Sequence, residues 1–262
     1  MMRFAFLGSG SEGNSLLIEA REGTATTRVL LDCGFGIRET ARRLERLGIA
    51  PDQLDAVLVT HEHGDHVGSA YSFASRHDLA VYTSHGTWLA TSHLRGAETA
   101  DVRVCCADHP LSIGALQILP YTVPHDAREP LQFVLSDGDA RLGVLTDAGM
   151  ETPYITARLS GLHALVLECN HDREMLRNSA YPASLKRRVG GDFGHLANEV
   201  AAGILARVSH AGLQRVVAAH LSQQNNTPAL AIQALSEALA GAASEILVAD
   251  QHEGLGWQPV RA

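Results

Sequence analysis

Cysteine pairs at C-x-x-C spacing are missing from this chain. Its four cysteines, Cys33, Cys105, Cys106 and Cys169, form no C-x-x-C pattern, which excludes a zinc knuckle and a thioredoxin-type redox motif. Cys105 and Cys106 are adjacent and poorly placed to bond to each other, so free thiols in a reducing, cytoplasmic setting are expected. Aromatic residues are few, at 5%, and the core must be built from Leu, Val, Ala and Ile. Hydrophobic residues make up 45% of 262 positions, enough to bury a sizeable core. No apolar run is long enough to span a bilayer, so no membrane contact is expected. The first ten residues lack a charged head followed by a long apolar stretch and read as a strand. No repeat or low-complexity linker appears, and one domain over residues 1–262 is expected. A basic surplus is missing as well. Lys and Arg number 21 against 29 Asp and Glu, a formal net charge of -8. That excludes a protein that coats a polyanion with its whole surface. It does not exclude an enzyme whose positive charge is local and carried by metal ions.

The residues present alternate between strand and helix patterns. Arg3 to Leu7 is apolar and ends in a Gly/Ser-rich turn, Gly8 to Ser15. Ser15–Ala20 and Arg28–Asp32 read as strands, and Ile37–Leu47 has helical spacing that stops at Gly48. Leu54–Thr60 is a nearly continuous apolar run, as expected of a strand buried on both faces. Further strands are expected at Leu79–Thr83, Leu116–Val123, Gln132–Ser136, Arg141–Thr146, Ala164–Glu168, Arg215–Ala219 and Glu245–Ala249. Long helices are expected at Ala197–Ala211 and Pro228–Leu239. Asp172 to Gly194 is the most irregular stretch and reads as a surface excursion. Two successive blocks of strands and helices imply an α/β protein with helices over both sheets.

The densest chemistry follows the strand Leu54–Thr60 directly: His61-Glu62-His63-Gly64-Asp65-His66. A loop leaving a strand can turn His61 and His63 toward one point, and the next turn can aim Asp65 and His66 at a neighbouring one. Imidazole with carboxylate suits a borderline divalent ion such as zinc, manganese or iron. A solvated polar loop is the plain alternative, and the strand-then-cluster context counts against it.

H-x-H-x-D-H after an apolar strand resembles the metallo-β-lactamase superfamily, and the remaining motifs of that family occur in order. Asp32 in Leu30-Leu31-Asp32-Cys33-Gly34 is similar to the aspartate that orients the metal loop. His125 in Pro124-His125-Asp126 resembles the third histidine, Asp147 in Leu145-Thr146-Asp147-Ala148-Gly149 the bridging carboxylate, and His220 in Ala219-His220-Leu221 the terminal histidine. The resemblance covers essentially the whole chain and implies a four-layer αββα sandwich with two divalent metal ions. One would be held by His61, His63, His125 and Asp147, the other by Asp65, His66, Asp147 and His220. Zinc or manganese is implied, with iron also compatible.

Five further blocks resemble the small bacterial YycJ/WalJ group, which is regarded as exonuclease-like. They are Gly8-Ser9-Gly10-Ser11 with Gly13-Asn14-Ser15, then Glu168-Cys169-Asn170-His171-Asp172, then Tyr181-Pro182 with Leu185-Lys186-Arg187-Arg188. Gly194-His195-Leu196-Ala197-Asn198 and His220-Leu221-Ser222-Gln223-Gln224-Asn225-Asn226-Thr227-Pro228 complete the set. Gln223-Gln224 departs from the acidic residue expected before the asparagine pair. The resemblance implies a phosphodiester hydrolase acting on nucleic acid, 5′-exonuclease-like on DNA, through a hydroxide shared by the two cations. Asp65 would orient or deprotonate the attacking water and His195 would protonate the leaving oxygen; a solvated histidine near a helix start is the alternative for His195. Glu168 and His171 are expected behind the ligands. Ser11, Asn14, Lys186, Arg188, Asn198, Ser222 and Asn225 are expected as substrate contacts, although basic runs more often form a solvated face. Hydrolysis of another ester, ribonuclease Z-like tRNA processing, or a non-catalytic metal-binding role are the competing readings.

Overall fold

The structure, a computed structural model, describes residues 1–262. The chain opens with an antiparallel meander of β1 (Met2–Gly8), β2 (Ser15–Glu22) and β3 (Ala25–Leu31). It continues in parallel through β4 (Ala56–Leu58), β5 (Ala80–Thr83) and β6 (Asp101–Val104). A second sheet repeats the scheme. Antiparallel β7 (Leu111–Ile113), β8 (Leu116–Thr122) and β9 (Leu131–Ser136) lead into β10 (Arg141–Leu145), β11 (Ala164–Glu168), β12 (Arg215–Ala219) and β13 (Glu245–Val248), which run parallel from β10 onward. The last strand, β14 (Leu255–Val260), crosses back to the outer edge of the first sheet beside β1. Its Pro259 cannot donate to a ladder on both sides, so the edge is where it can sit.

The parallel strands must have both faces covered, and their sequences read accordingly: Ala56–Leu58 and Ala164–Glu168 are buried at every position. Inner faces meet in one apolar layer that includes Phe4, Ile18, Leu58, Phe133 and Val166. Outside the first sheet pack α1 (Ile37–Arg46), α2 (Gly64–Val67), α3 (Ala70–His77) and α4 (His85–Thr91), over a layer containing Leu44, Phe73 and Val57. Outside the second lie α5 (Pro153–Arg158), α6 (Arg173–Asn178), α7 (Ala183–Val189), α8 (Asn198–Val208) and α9 (Pro228–Leu239). Ile155, Ile204 and Leu235 cover that face. The result is the four-layer αββα arrangement.

Three expectations need correction. The strand expected over Leu54–Thr60 is hydrogen-bonded as a strand only over Ala56–Leu58, because the chain leaves the ladder to form the metal loop. The stretch Asp172 to Gly194 is not irregular: it carries α6, capped by the Asp172 carboxylate accepting from Met175 N at 2.8 Å, and α7. No residue of α7 is buried, so it has no apolar stripe to announce it. The strand β14 was hidden by Gly256 and Pro259 within its run.

Candidate metal centre

Every candidate ligand follows the carboxyl end of a strand, and the two sheets bring those ends together. Asp32 follows β3, the His61–His66 loop follows β4, His125 follows β8, Asp147 follows β10 and His220 follows β12. Carboxyl ends of strands are where open α/β sheets leave a crevice. Asp32, Asp147 and His220 turn away from their strands with positive φ, at 61°, 54° and 54°. The loops also approach one another closely. Asn14 N donates to Asp65 O at 2.8 Å, and a Cβ placed on Gly34 would lie 1.9 Å from the same oxygen, so only glycine fits there.

The imidazoles are aimed by the hydrogen bonds behind them. His125 Nδ1 lies 3.1 Å from Gly194 O; a carbonyl only accepts, so Nδ1 carries the proton and Nε2 keeps its lone pair. His66 Nδ1 sits 2.7 Å from Asp32 Oδ2 and His220 Nδ1 3.2 Å from Glu168 Oε1, with the same consequence. Thr60, which the sequence reading missed, completes this layer. Its hydroxyl donates to Asp32 and stands 2.9 Å from His61 Nδ1.

The freed nitrogens converge. His63 Nδ1 lies 3.0 Å from His61 Nε2 and 3.2 Å from His125 Nε2. Donors on a tetrahedral zinc are separated by about 3.3 Å, from bonds of about 2.0 Å. Asp65 Oδ2 lies 3.5 Å from His66 Nε2 and 3.4 Å from His220 Nε2. Asp147 stands between the two groups, with Oδ2 3.1 Å from His66 Nε2 and Oδ1 3.9 Å from His125 Nε2. The seven donors thus fall into overlapping clusters whose atoms lie within 4.8 Å of one another: His61/His63/His125, His61/His66/Asp147 and Asp65/His66/His220.

Two observations test whether cations fit. Asp147 Oδ2 is enclosed and makes no hydrogen bond, since His66 approaches it off the line that one requires. An orphaned buried carboxylate oxygen needs a positive partner. The pKa pattern also shows that the donors act strongly on one another. Burial works against ionisation of Asp147, yet the surrounding histidines hold its carboxyl well below the usual range. Burial likewise disfavours a charged His220, but Asp147 and the hydrogen bonds of Asp65 and Glu168 push it up to about 10. His61, buried and facing His66, moves the other way and stays neutral, as a ligand must. Divalent metal binding fits this donor set.

Glu168 is the hub behind the site. It is fully buried, and burial alone would raise its pKa. His195 and His220 overcome this and draw it down to about 2. Its oxygens accept from His195 Nδ1 at 2.8 Å, from Leu196 N at 3.1 Å and from Ala148 N at 3.0 Å. His195 is 22% exposed, and its ring lies 5.3 Å from those of His125 and His220. His171 is buried next to this group, with its pKa lowered to about 4 by burial, but it touches no ligand through a hydrogen bond.

The expected substrate contacts divide. Asn14 is buried beside the metal loop, with Nδ2 3.3 Å from Asp65 Oδ2. Arg188 bonds Asp126 Oδ2 at 2.6 Å, next to His125. Lys186 lies in a cavity that His195 also lines, and Ser11 is exposed on the Gly/Ser loop. Asn198, Ser222 and Asn225 face inward. Asn198 and Asn226 bond each other reciprocally in the interior, while the Ser222 hydroxyl accepts from Asn225 N. All three are buried, at 2%, 7% and 0% exposure.

The chain belongs to the beta-lactamase superfamily, whose domain model matches residues 27–221. It is a metal-dependent hydrolase of that class. Within the class it is 34% identical over 239 residues to exodeoxyribonuclease YycJ of Bacillus anthracis, covering 91% of this chain and 89% of that one. It is 30% identical to exodeoxyribonuclease WalJ of Streptococcus pneumoniae, with 92% and 89% covered. The metallo-beta-lactamase fold protein YhfI from Bacillus subtilis superposes with a TM-score of 0.74 at 16% identity, over 99% of this chain and 100% of the other, and shares the fold. No helix is long and apolar enough to cross a membrane, and all four cysteines are free.

Proposed function

We propose that this protein hydrolyses phosphodiester bonds in nucleic acid, acting as a 5′-exonuclease on DNA within the cytoplasm. The observation that carries the reading is His195, held by Glu168 at 2.8 Å beside a cage of seven donors for two cations. Similarity to two exodeoxyribonucleases over nine-tenths of the chain supports DNA as the substrate. The free cysteines fit a reducing compartment.

His61, His63, His125 and Asp147 would hold one cation, and Asp65, His66, Asp147 and His220 the other, zinc or manganese by donor chemistry, with iron also compatible. When bound, the pair would acidify the attacking water and offset charge on the phosphate. The protein's own residues do the rest. Asp65, partly open to solvent, orients the water and accepts its proton. Asn14 Nδ2 steadies that carboxylate. Water oxygen bonds to phosphorus as the P–O3′ bond breaks, and His195 gives its proton to the departing O3′. Glu168 fixes the His195 ring and keeps it protonated for that step; burial opposes the charge on His195, but the Glu168 carboxylate raises its pKa.

The test is a side-by-side assay of end-labelled duplex DNA, single-stranded DNA, RNA and a chromogenic phosphodiester, with manganese and with zinc. Mononucleotides released from 5′ ends of DNA are the expected result. Turnover of RNA alone, or of the chromogenic ester alone, would replace this reading.

A further inference from the structure

His195 also lines a cavity of about 340 Å³, together with His171, Arg173, Arg177, Lys186 and Arg187 among others. No carboxylate lines it. In a chain of net charge -8 this concentration of cations is unusual, and Lys186 is the only lysine in the sequence. The cations are not used up by neighbours. Arg187 has no ion-pair partner, and Lys186 Nζ donates to a backbone carbonyl, Arg177 O, at 2.7 Å. Arg173 and Arg177 reach Glu199 and Glu174 only in exposed pairs at 3.6 and 3.3 Å, which hold little energy. Beneath them His171 is buried, with Nδ1 enclosed and unpartnered. A cluster of arginine and lysine around unfilled space is how proteins receive a phosphate dianion.

We propose that this cavity binds a terminal phosphomonoester, the 5′-phosphate of the strand end whose first internucleotide linkage lies at the metal centre. This rests on the nuclease reading above. The direction follows from His195. It serves the leaving oxygen, so the cavity that it lines belongs to the departing nucleotide. Cleavage of the P–O3′ bond leaves that nucleotide with a free 3′-hydroxyl and its own 5′-phosphate, which then faces Arg173, Arg177, Lys186 and Arg187. A terminal phosphomonoester carries about -1.5 to -2 charge at neutral pH, against -1 for an internal diester. Four cations without a carboxylate match the former.

Two measurements on the metal-loaded protein test this. The first compares kcat/KM on duplex DNA whose 5′ ends carry phosphate or hydroxyl. The parent should favour the phosphorylated end by about tenfold or more, and the ratio should fall to within about twofold in Lys186→Gln/Arg187→Gln. The second needs no variant: reductive ¹³C-methylation labels Lys186 as the single side-chain amine. Its signal should move on titration with thymidine 5′-monophosphate and stay still with thymidine. Equal use of both ends by the parent, a preference that survives the double substitution, or an unmoved Lys186 signal would overturn the proposal. A signal that moves with the nucleotide while no oligonucleotide is cut would keep the anion site and remove the nuclease reading.

Discussion

Asp32, Asp147 and His220 share a backbone conformation that costs on the order of 1–3 kcal/mol for a side-chain-bearing residue. Asp32 and His220 sit one residue past a strand and Asp147 two, and the left-handed turn swings each side chain back over the strand end toward the cage. Strain at these positions is therefore tied to function and is held in place by contacts such as Asp32 N to Leu58 O at 2.8 Å and His220 N to Ser9 Oγ at 2.9 Å. Asp147 is the single residue that belongs to both proposed metal sets. Asp147→Ala should lose both metals together, read by elemental analysis of the purified protein; retention of a full pair would show that it does not bridge. His195 has a different signature. His195→Ala should lower kcat by a factor on the order of 10² or more with metal content unchanged. Equal turnover by mutant and parent on DNA would remove His195 from the chemistry.

At the scale of elements, the first sheet carries a charged ladder on its outer face, the face of Leu17 and Leu30. Glu19 in β2 stands opposite Arg3 in β1 and Arg28 in β3. Its side chain is 1% exposed and accepts from Arg3 Nε at 2.8 Å, Arg21 Nε at 3.0 Å and Arg28 Nε at 2.8 Å. Trp257 of β14 stacks on Arg3 at 3.9 Å, extending the ladder to the edge strand. Burial raises the Glu19 pKa, but the arginines outweigh it and the net shift is downward from 4.5. A depressed folded-state pKa contributes stability that is complete above the unfolded value and lost as pH falls through the folded one. Glu19→Gln should therefore cost roughly 1–3 kcal/mol at pH 7. Urea midpoints of mutant and parent should converge as the pH is lowered toward 3. A gap that stays constant with pH would assign the loss to packing.

Across the whole molecule, the cage is the place where the two halves meet. His61, His63, Asp65 and His66 come from the first sheet, and His125, Asp147 and His220 from the second. Cations bound there would tie the halves together and bind only the folded chain. At a thousandfold excess over Kd such binding contributes about 4 kcal/mol, and for a chain of this size that corresponds to roughly 10 °C in Tm. Chelation should lower Tm by about that amount, and re-addition of zinc or manganese should restore it. A melting curve indifferent to chelator would mean that the halves are held by their apolar interface alone.

Much of this was legible in the residues themselves. The nearly continuous apolar run Leu54–Thr60 declares a buried strand, because only such strands lack a polar face, and its core Ala56–Leu58 is buried throughout. The H-x-H-x-D-H block declares metal chemistry, because no solvated loop needs so many donors at that spacing. What the order of residues could not show was decided in three dimensions. Helix α7 has no buried residue and so no periodic signature; it is positioned by its neighbours, and it is α7 that sets Lys186 and Arg187 beside His195. Asn198 and Asn225 have the composition of contact residues but are drawn inward, Asn198 to bond Asn226 and Asn225 N to donate to Ser222 Oγ. Thr60 looked like the last residue of a strand, and only the fold of β3 against β4 puts its hydroxyl between Asp32 and His61. Local pattern reports which side chains must be buried or charged. Which distant groups share a hydrogen bond depends on how the sheets stack, and that is a property of the whole chain.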